Sequence, residues 1–482
     1  MLLALARIVW LLVFACLVFA GFVLLGPARA PARSAAAAAP RLAPIDLGPE
    51  LSGFYRERDF RPVWVDRGGL KPEAAQALRM LGPAASPELR QAVAAAQGRD
   101  PRPLTRADLL LSRDFAAFIR ARAQPPAAAA MRYIDPGLAP APPPLDAILD
   151  PRAPAAFERI NPAYDGLRRG LAAYRARWSR LPQDRLPAHP DQAALGRRLG
   201  GLSLAQFQHV HGLPETGRAD SATIAALNRG AAYYERLILA NIERARAIPA
   251  RPGGRYILVD TASARLWMVE DGRIAGAMRV VVGKRAMPTP LMAGMMRYVV
   301  LNPYWNLPPD LIRARARGGA RAIAAEHLEV LSDWSDRPQR LDPRRVDWRA
   351  VAAGRRQVNL RQTPGPHNMM GRIKFMMPND LGVYLHDTPL RELLARRDRH
   401  WSSGCVRLQD APLLARWLFG GRAPAPGGTA EERVELPEPV PVYLAYFTAL
   451  PSRDGIVFQS DVYGRDGAPR SMPRRNRTTP PK

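Results

Sequence analysis

The sequence predicts a multidomain α+β protein, helical in its N-terminal half and mostly β in its C-terminal half. Three observations carry this. Between 46 and 229 apolar residues recur at helical spacing, as with Leu109, Leu110, Phe115, Phe118 and Ile119 of 104–122. From 255 the pattern becomes that of strands: Tyr256-Ile257-Leu258-Val259, then Leu266–Val269 and Met278–Val282 around an Asp271-Gly272 turn. The third observation is Cys405, which sits in a polar turn, His400-Trp401-Ser402-Ser403-Gly404-Cys405, outside any apolar run.

At the N-terminus, residues 8–26 form an uncharged apolar run near the length of a membrane span. Ala28-Arg29-Ala30 is a cleavage-type pattern, but Pro31 follows it and the run is long for a removed signal. An anchor within 1–30 is therefore favoured over secretion after cleavage near Ala30. Either reading places the rest of the chain outside the cytoplasmic membrane, in the periplasm if it is anchored to the inner membrane. Residues 31–45 are an Ala/Pro-rich spacer. Of 70 basic residues only Lys71, Lys284, Lys374 and Lys482 are lysines, and the net charge is +27. That charge favours anionic partners such as headgroups or acidic wall polymer. Nucleic acid is disfavoured, because the basic residues are scattered and no nucleic-acid motif occurs.

Residues 46–185 are expected to be an α-rich scaffold, with Phe54-Tyr55-Arg56 and Phe60–Trp64 near its start and a Pro/Ala-rich linker or loose excursion over 123–156. Residues 186–230 read as a compact helical unit, with Leu204–Pro214, a Gly217 turn, and a helix capped by Asp220 or Ser221. His209 and His211, spaced i,i+2 on a helix, point to different faces and do not suggest a metal site. A helical connector (231–254) leads to a β domain over 255–450. Further strands are expected at 297–301, 358–362, 373–376, 383–386 and 440–449. The Arg/Ala-rich, partly helical insertion 305–357 is a candidate lid. A last strand and a disordered tail occupy 451–482.

Cys16 lies in the N-terminal run, so Cys405 is the one thiol of the exported part. Exported chains usually pair cysteines or avoid them, and a lone thiol in a Gly-containing turn suggests a nucleophile. The alternative is a buried small hydrophobe. A nucleophilic thiol needs a base. His386 ends the strand-like Gly382–Thr388, where a catalytic imidazole and a structural strand cap are equally compatible with the spacing. His400 is the second choice. Backbone N–H groups around Gly404 and Cys405 offer an oxyanion site, and Arg407 offers a carboxylate fork or a cation beside the thiol.

His386 followed by Ser403-Gly404-Cys405-Val406-Arg407 resembles the signature of L,D-transpeptidases with a YkuD-type catalytic domain. Val280–Gly283, Pro288-Thr289-Pro290, Asn302–Pro309, Arg361–Pro366, Gly371–Phe375 and Tyr384–Pro389 resemble the long YcbB-like branch of that family. The 187–229 unit resembles the three-helix peptidoglycan-binding domain. The commoner Ser-His-Gly-Cys is Ser402-Ser403-Gly404-Cys405 here. The resemblance implies a mostly β YkuD-like domain with a lid insertion, a small peptidoglycan-binding domain and an α-rich scaffold. It implies Cys405 as nucleophile and His386 as base, with Gly404, Ser403 and Asp387 as oxyanion and support residues. It implies Arg407, Tyr384 and Asn368 as substrate-binding residues. It implies no metal or organic cofactor, and peptidoglycan stem peptides, glycan strands and carbapenems as partners. The expected reaction is 3→3 cross-linking through a Cys405 thioester with release of D-Ala. An L,D-carboxypeptidase, or an inactive wall-binding scaffold, is the alternative. A papain-like peptidase is disfavoured because its cysteine precedes its histidine.

Overall fold

The computed structural model of the chain describes residues 44–467, apart from 68, 97–100, 125–129, 159, 250–253, 336, 426 and 454. The apolar run 8–26, the cleavage pattern, most of the spacer and the end of the tail lie outside the described residues. Among the described residues no helix is long and apolar enough to cross a membrane.

Helices α1 (Gly48–Glu57), α2 (Pro72–Leu81), α3 (Pro87–Ala95) and α4 (Pro101–Ala123) build the N-terminal region. Proline opens α2 and α3, where its missing N–H costs nothing. The Phe54–Trp64 segment is pinned by Asp108 of α4. Its carboxylate accepts from the Tyr55 hydroxyl (2.6 Å) and from the N–H groups of Val63 and Trp64 (2.9 and 2.6 Å). The Trp64 indole donates to Ser112 (2.8 Å). A buried carboxylate persists only when so satisfied.

The described part of the 123–156 stretch is neither a linker nor a loose excursion. Arg132–Tyr133 pairs with a strand of the β domain, and Leu138, Leu145, Ile148 and Leu149 are buried. Proline-rich composition disguised a docked segment.

Helices α5 (Pro162–Arg177), α6 (Gln192–Leu199), α7 (Leu204–Val210), α8 (Ser221–Arg229) and α9 (Ala231–Ala245) follow. Asp191 caps α6, a Ser203/Gln206 capping box opens α7, and Asp220 rather than Ser221 caps α8. His209 points out to Glu215 (2.8 Å), whereas His211 is buried. The His211 ring stacks on Phe207 and Phe458 and meets the rings of Trp178 and Tyr234 edge-on. Burial holds its pKa at about 3, far below 6.5. The same core continues through Tyr256 and Tyr443 onto the outer face of the β domain, so α6–α8 share their hydrophobic packing with it.

The β domain is a closed ring. Its strands are β1 (Arg255–Asp260), β2 (Arg265–Glu270), β3 (Arg273–Gly283) and β4 (Met292–Leu301). The insertion adds β5 (Trp305–Asn306), β6 (Leu328–Leu331), β7 (Arg340–Leu341) and β8 (Asn359–Gln362). The ring resumes with β9 (Ile373–Met376), β10 (Leu385–His386), β11 (His400–Ser402), β12 (Val406–Leu408) and β13 (Glu432–Ala445). The order is β9-β10-β12-β3-β2-β1-β13-β4, and β4 pairs with β9 to close it. Inside it Val280, Val282, Val299, Phe375, Leu385, Val406 and Leu444 are buried.

The insertion is a separate layer. Its sheet runs β7-β6-β8-β5, and Trp305, Ile312, Ile323, Trp348, Val351 and Leu360 form its own core. Residues 359–362, expected in the β domain, instead pair with β6 inside this layer. The layer therefore extends past 357. The C-terminal strand is a hairpin, Ala449–Ser452 with Gly455–Phe458. It docks on α5 where Gly166 and Gly170 leave room. A Cβ at Gly170 would lie 2.3 Å from Ile456, and one at Gly166 would lie 2.6 Å from Pro451.

Candidate active site

Three adjacent strands of the ring bring the predicted residues together. β9 pairs antiparallel with β10, placing Lys374 opposite His386. β10 pairs parallel with β12, placing His386 beside Arg407 and Leu385 beside Val406. The Val406 N–H donates to the Tyr384 carbonyl (3.1 Å), which sets Cys405 beside Tyr384. Side chains alternate along a strand. Phe375, Leu385 and Val406 turn into the core. Lys374, Tyr384, His386, Cys405 and Arg407 therefore share the other face.

His386 is buried. Its Nδ1 lies 2.5 Å from the Asp387 carbonyl. A carbonyl only accepts, so Nδ1 carries the proton and Nε2 keeps its lone pair. Burial, then the cations of Arg407 and Lys374, holds the imidazole pKa at about 3. The ring is thus a neutral base of fixed tautomer at neutral pH. Asp387 holds its own carbonyl in place. Its carboxylate accepts from the Arg372 N–H (3.0 Å) and from Arg391 (2.7 Å). Gly371, at φ +61°, makes this approach possible, because a Cβ there would lie 2.3 Å from that carboxylate.

Cys405 is free and half-buried. Its Sγ donates to the Gly382 carbonyl (3.6 Å). Burial raises the thiol pKa, against the opposing pull of hydrogen bonds from Tyr384 and of the Arg407 and Lys374 cations. The resting pair is therefore thiol and neutral imidazole, not thiolate and imidazolium. Burial also raises the Tyr384 hydroxyl pKa, with Cys405 adding to it. Arg407 Nε is buried with no partner among the described residues, a free donor beside the thiol.

The turn carrying Cys405 is held by residues that the sequence reading passed over. Ser402, not Ser403, is its buried support. Ser402 Oγ donates to the Cys405 carbonyl (2.6 Å) and accepts from the Gly404 N–H (3.1 Å), whereas Ser403 is exposed. The Gly404 N–H is thereby spent and cannot serve an oxyanion. Among the described residues the Cys405 N–H has no backbone acceptor. Gly404 contributes its φ of +121°. Its carbonyl accepts from Thr289 Oγ1 (2.8 Å), which also accepts from the Gly283 N–H (2.9 Å). Thr289 fastens the turn to the end of β3.

Two other candidates are elsewhere engaged. His400 Nδ1 lies 2.7 Å from Asp398 and Nε2 lies 2.9 Å from the Thr261 carbonyl, so neither nitrogen is left for the thiol. Asn368, expected to bind substrate, is buried. Its Nδ2 reaches the carbonyls of Pro303, Gln362 and Thr363 (2.9, 3.2 and 2.9 Å), and its Oδ1 accepts from the Met370 N–H (2.7 Å). It ties the base of the insertion together and has no amide proton to offer a ligand. Tyr384 packs on the insertion's core and so joins that layer to the site.

Residues 254–434 match the family model of the YkuD L,D-transpeptidase catalytic domain, and residues 49–176 match that of the Scaffold domain. A Haemophilus influenzae protein provisionally named an L,D-transpeptidase is 32% identical over 237 residues, 47% of each chain. The chain thus spans about half the length of that curated relative. An L,D-transpeptidase solved in complex with imipenem is 14% identical over 40% of this chain and 59% of its own, with a TM-score of 0.21. One from Mycobacterium smegmatis is 14% identical over 40% and 58%, with a TM-score of 0.20. The assignment rests on the family model and the Haemophilus relative. Residues 254–434, which hold His386, Cys405 and Arg407 on one face of the closed ring, are a YkuD-type L,D-transpeptidase catalytic domain.

Proposed function

We propose that the protein cross-links peptidoglycan stem peptides as an L,D-transpeptidase. The observation that carries this is the neutral imidazole of His386, its tautomer set by the Asp387 carbonyl, on the same face as the lone thiol of Cys405. His386 Nε2 takes the thiol proton as sulfur attacks the carbonyl of the third stem residue. The S–C bond forms, the C–N bond to the terminal D-Ala breaks, and Nε2 returns the proton to the leaving amine. An amine of a second stem then attacks the thioester. Its N–C bond forms, the S–C bond breaks, and its proton passes through His386 to sulfur, giving a 3→3 link. The Cys405 N–H stabilises the tetrahedral oxyanion, and Arg407 receives a stem carboxylate. Attack by water instead gives a carboxypeptidase. The insertion layer, joined to the site through Tyr384, acts as a lid. Helices α6–α8 hold glycan strands, and the run 8–26 anchors the protein at the inner membrane with the site in the periplasm.

On this reading Cys405 is also acylated by carbapenems, as the family resemblance implies. Intact-mass spectrometry after incubation with imipenem should show one adduct per chain, mapped to Cys405 by peptide digestion. A folded protein with an unmodified thiol would favour an inactive wall-binding scaffold instead.

A further inference from the structure

A second polar site lies in the helical half. A groove of about 860 Å³ between α2, α4, α5 and α9 is lined by Arg79, Arg122, Arg168, Arg175 and Arg246, against only Glu158 and Glu243. Arg175 and Arg246 are paired, to Glu235 and Glu243. Among the described residues no carboxylate pairs with Arg79, Arg122 or Arg168. Arg122 is the most exacting of these. It lies over the rings of Phe118 and Tyr164 and has the Tyr164 hydroxyl as a hydrogen-bond partner, but its Nη2 is buried with no acceptor. A buried guanidinium donor without a partner is costly and marks a place where a ligand acceptor belongs.

A second groove of about 650 Å³ adjoins the first. Arg122 and Arg246 line both. The wall between them is fixed, because Arg246 Nη2 donates to the Ala121 and Gln124 carbonyls at the end of α4 (2.7 and 3.0 Å). Beyond it the lining turns mostly apolar, with Ile119, Pro140, Pro143, Ala147, Phe157 and Ile160, and its charged side chains there, Asp150 and Arg152, are paired with each other (3.0 Å). A basic compartment thus opens beside an apolar one, and the shared arginines stand at the junction.

We infer that the paired grooves bind an anionic lipid, with its phosphate on Arg79, Arg122 and Arg168 and its hydrocarbon chain along the apolar groove. Planar guanidinium forks match a phosphate's oxygens, and the adjoining apolar surface has no use for a free inorganic ion. The inference is independent of the chemistry at Cys405.

The test is calorimetric titration of the full chain with decyl phosphate below its micellar concentration, beside inorganic phosphate and decanol. Every variant keeps residues 1–46, so uptake by the apolar run 8–26 is common to all. Decyl phosphate should bind more tightly than inorganic phosphate or decanol by at least ~10-fold. Arg168→Gln, on the exposed rim, and Arg122→Gln should each weaken it by ~10-fold or more. Ala147→Trp, which fills the apolar groove, should weaken decyl phosphate and leave inorganic phosphate unchanged. The modification of Cys405 by iodoacetamide should be the same in all, which also reports that each variant is folded. Equal binding of inorganic and decyl phosphate with no effect of Ala147→Trp would reduce the site to a free-anion site and overturn the inference. So would decyl phosphate binding that is indifferent to Arg168→Gln and Ala147→Trp.

Discussion

His386→Ala should slow acylation of Cys405 by roughly 10²- to 10⁴-fold, the usual contribution of a positioned general base. The size follows from the resting state of the pair. Burial raises the Cys405 thiol pKa, so little thiolate exists without help. The neutral imidazole must take the proton as sulfur attacks. His400→Ala should leave the rate within about threefold, because both its ring nitrogens are already bonded to Asp398 and Thr261. Stopped-flow acylation by imipenem measures both. An exchange of the two results would transfer the base to His400. The wild-type rate should also stay free of an inflection near pH 6.5, since the His386 pKa is held at about 3.

Acid should destabilise the fold well before most carboxylates titrate. His386 and His211 are both buried and neutral, each with a pKa near 3 against 6.5 in the open chain. Below pH 6.5 the unfolded state binds protons that the folded state refuses. Their contribution to stability is therefore complete above pH 6.5 and falls as pH drops from there toward 3. While each protonates only in the unfolded chain, the slope is about 1.4 kcal/mol per pH unit per histidine, or roughly 2.7 for the pair. Urea unfolding between pH 6.5 and 5 measures this. His211→Phe keeps an aromatic ring between Phe207 and Phe458 and should remove about half of the slope. An unchanged slope in that variant would show that His211 does not sense pH in this way.

The residues that share the Cys405 face are named partly from local patterns and partly from the family resemblance, which chooses His386 where spacing leaves a structural cap equally compatible. A lone polar-turn cysteine, a histidine ending a strand and an arginine two positions past the thiol are local patterns, and strand pairing placed them on one face. What could not be read depended on partners distant in sequence. Asn368 looked like a ligand because its position, not its bonding, is visible; only the fold shows its amide spent on three carbonyls. Ser402 and Ser403 are equivalent in composition, and the backbone phase at the turn decides which one is buried. Thr289 reaches Gly404 across 115 residues. Strand 359–362 has the composition of a ring strand, yet its pairing with 328–331 assigns it to the insertion. The proline-rich 123–156 stretch read as a linker, because prolines hide the burial of Leu138, Leu145 and Ile148.

The most direct measurement is product analysis by mass spectrometry after incubating the full chain with a disaccharide-tetrapeptide. The proposed chemistry requires released D-Ala together with a cross-linked dimer, and loss of both in Cys405→Ala. Release of D-Ala with tripeptide as the only other product would mean that water, not an amine, resolves the thioester. A folded wild-type protein that yields neither product, or a Cys405→Ala variant that still forms the dimer, would contradict the assignment of Cys405 as the acyl carrier.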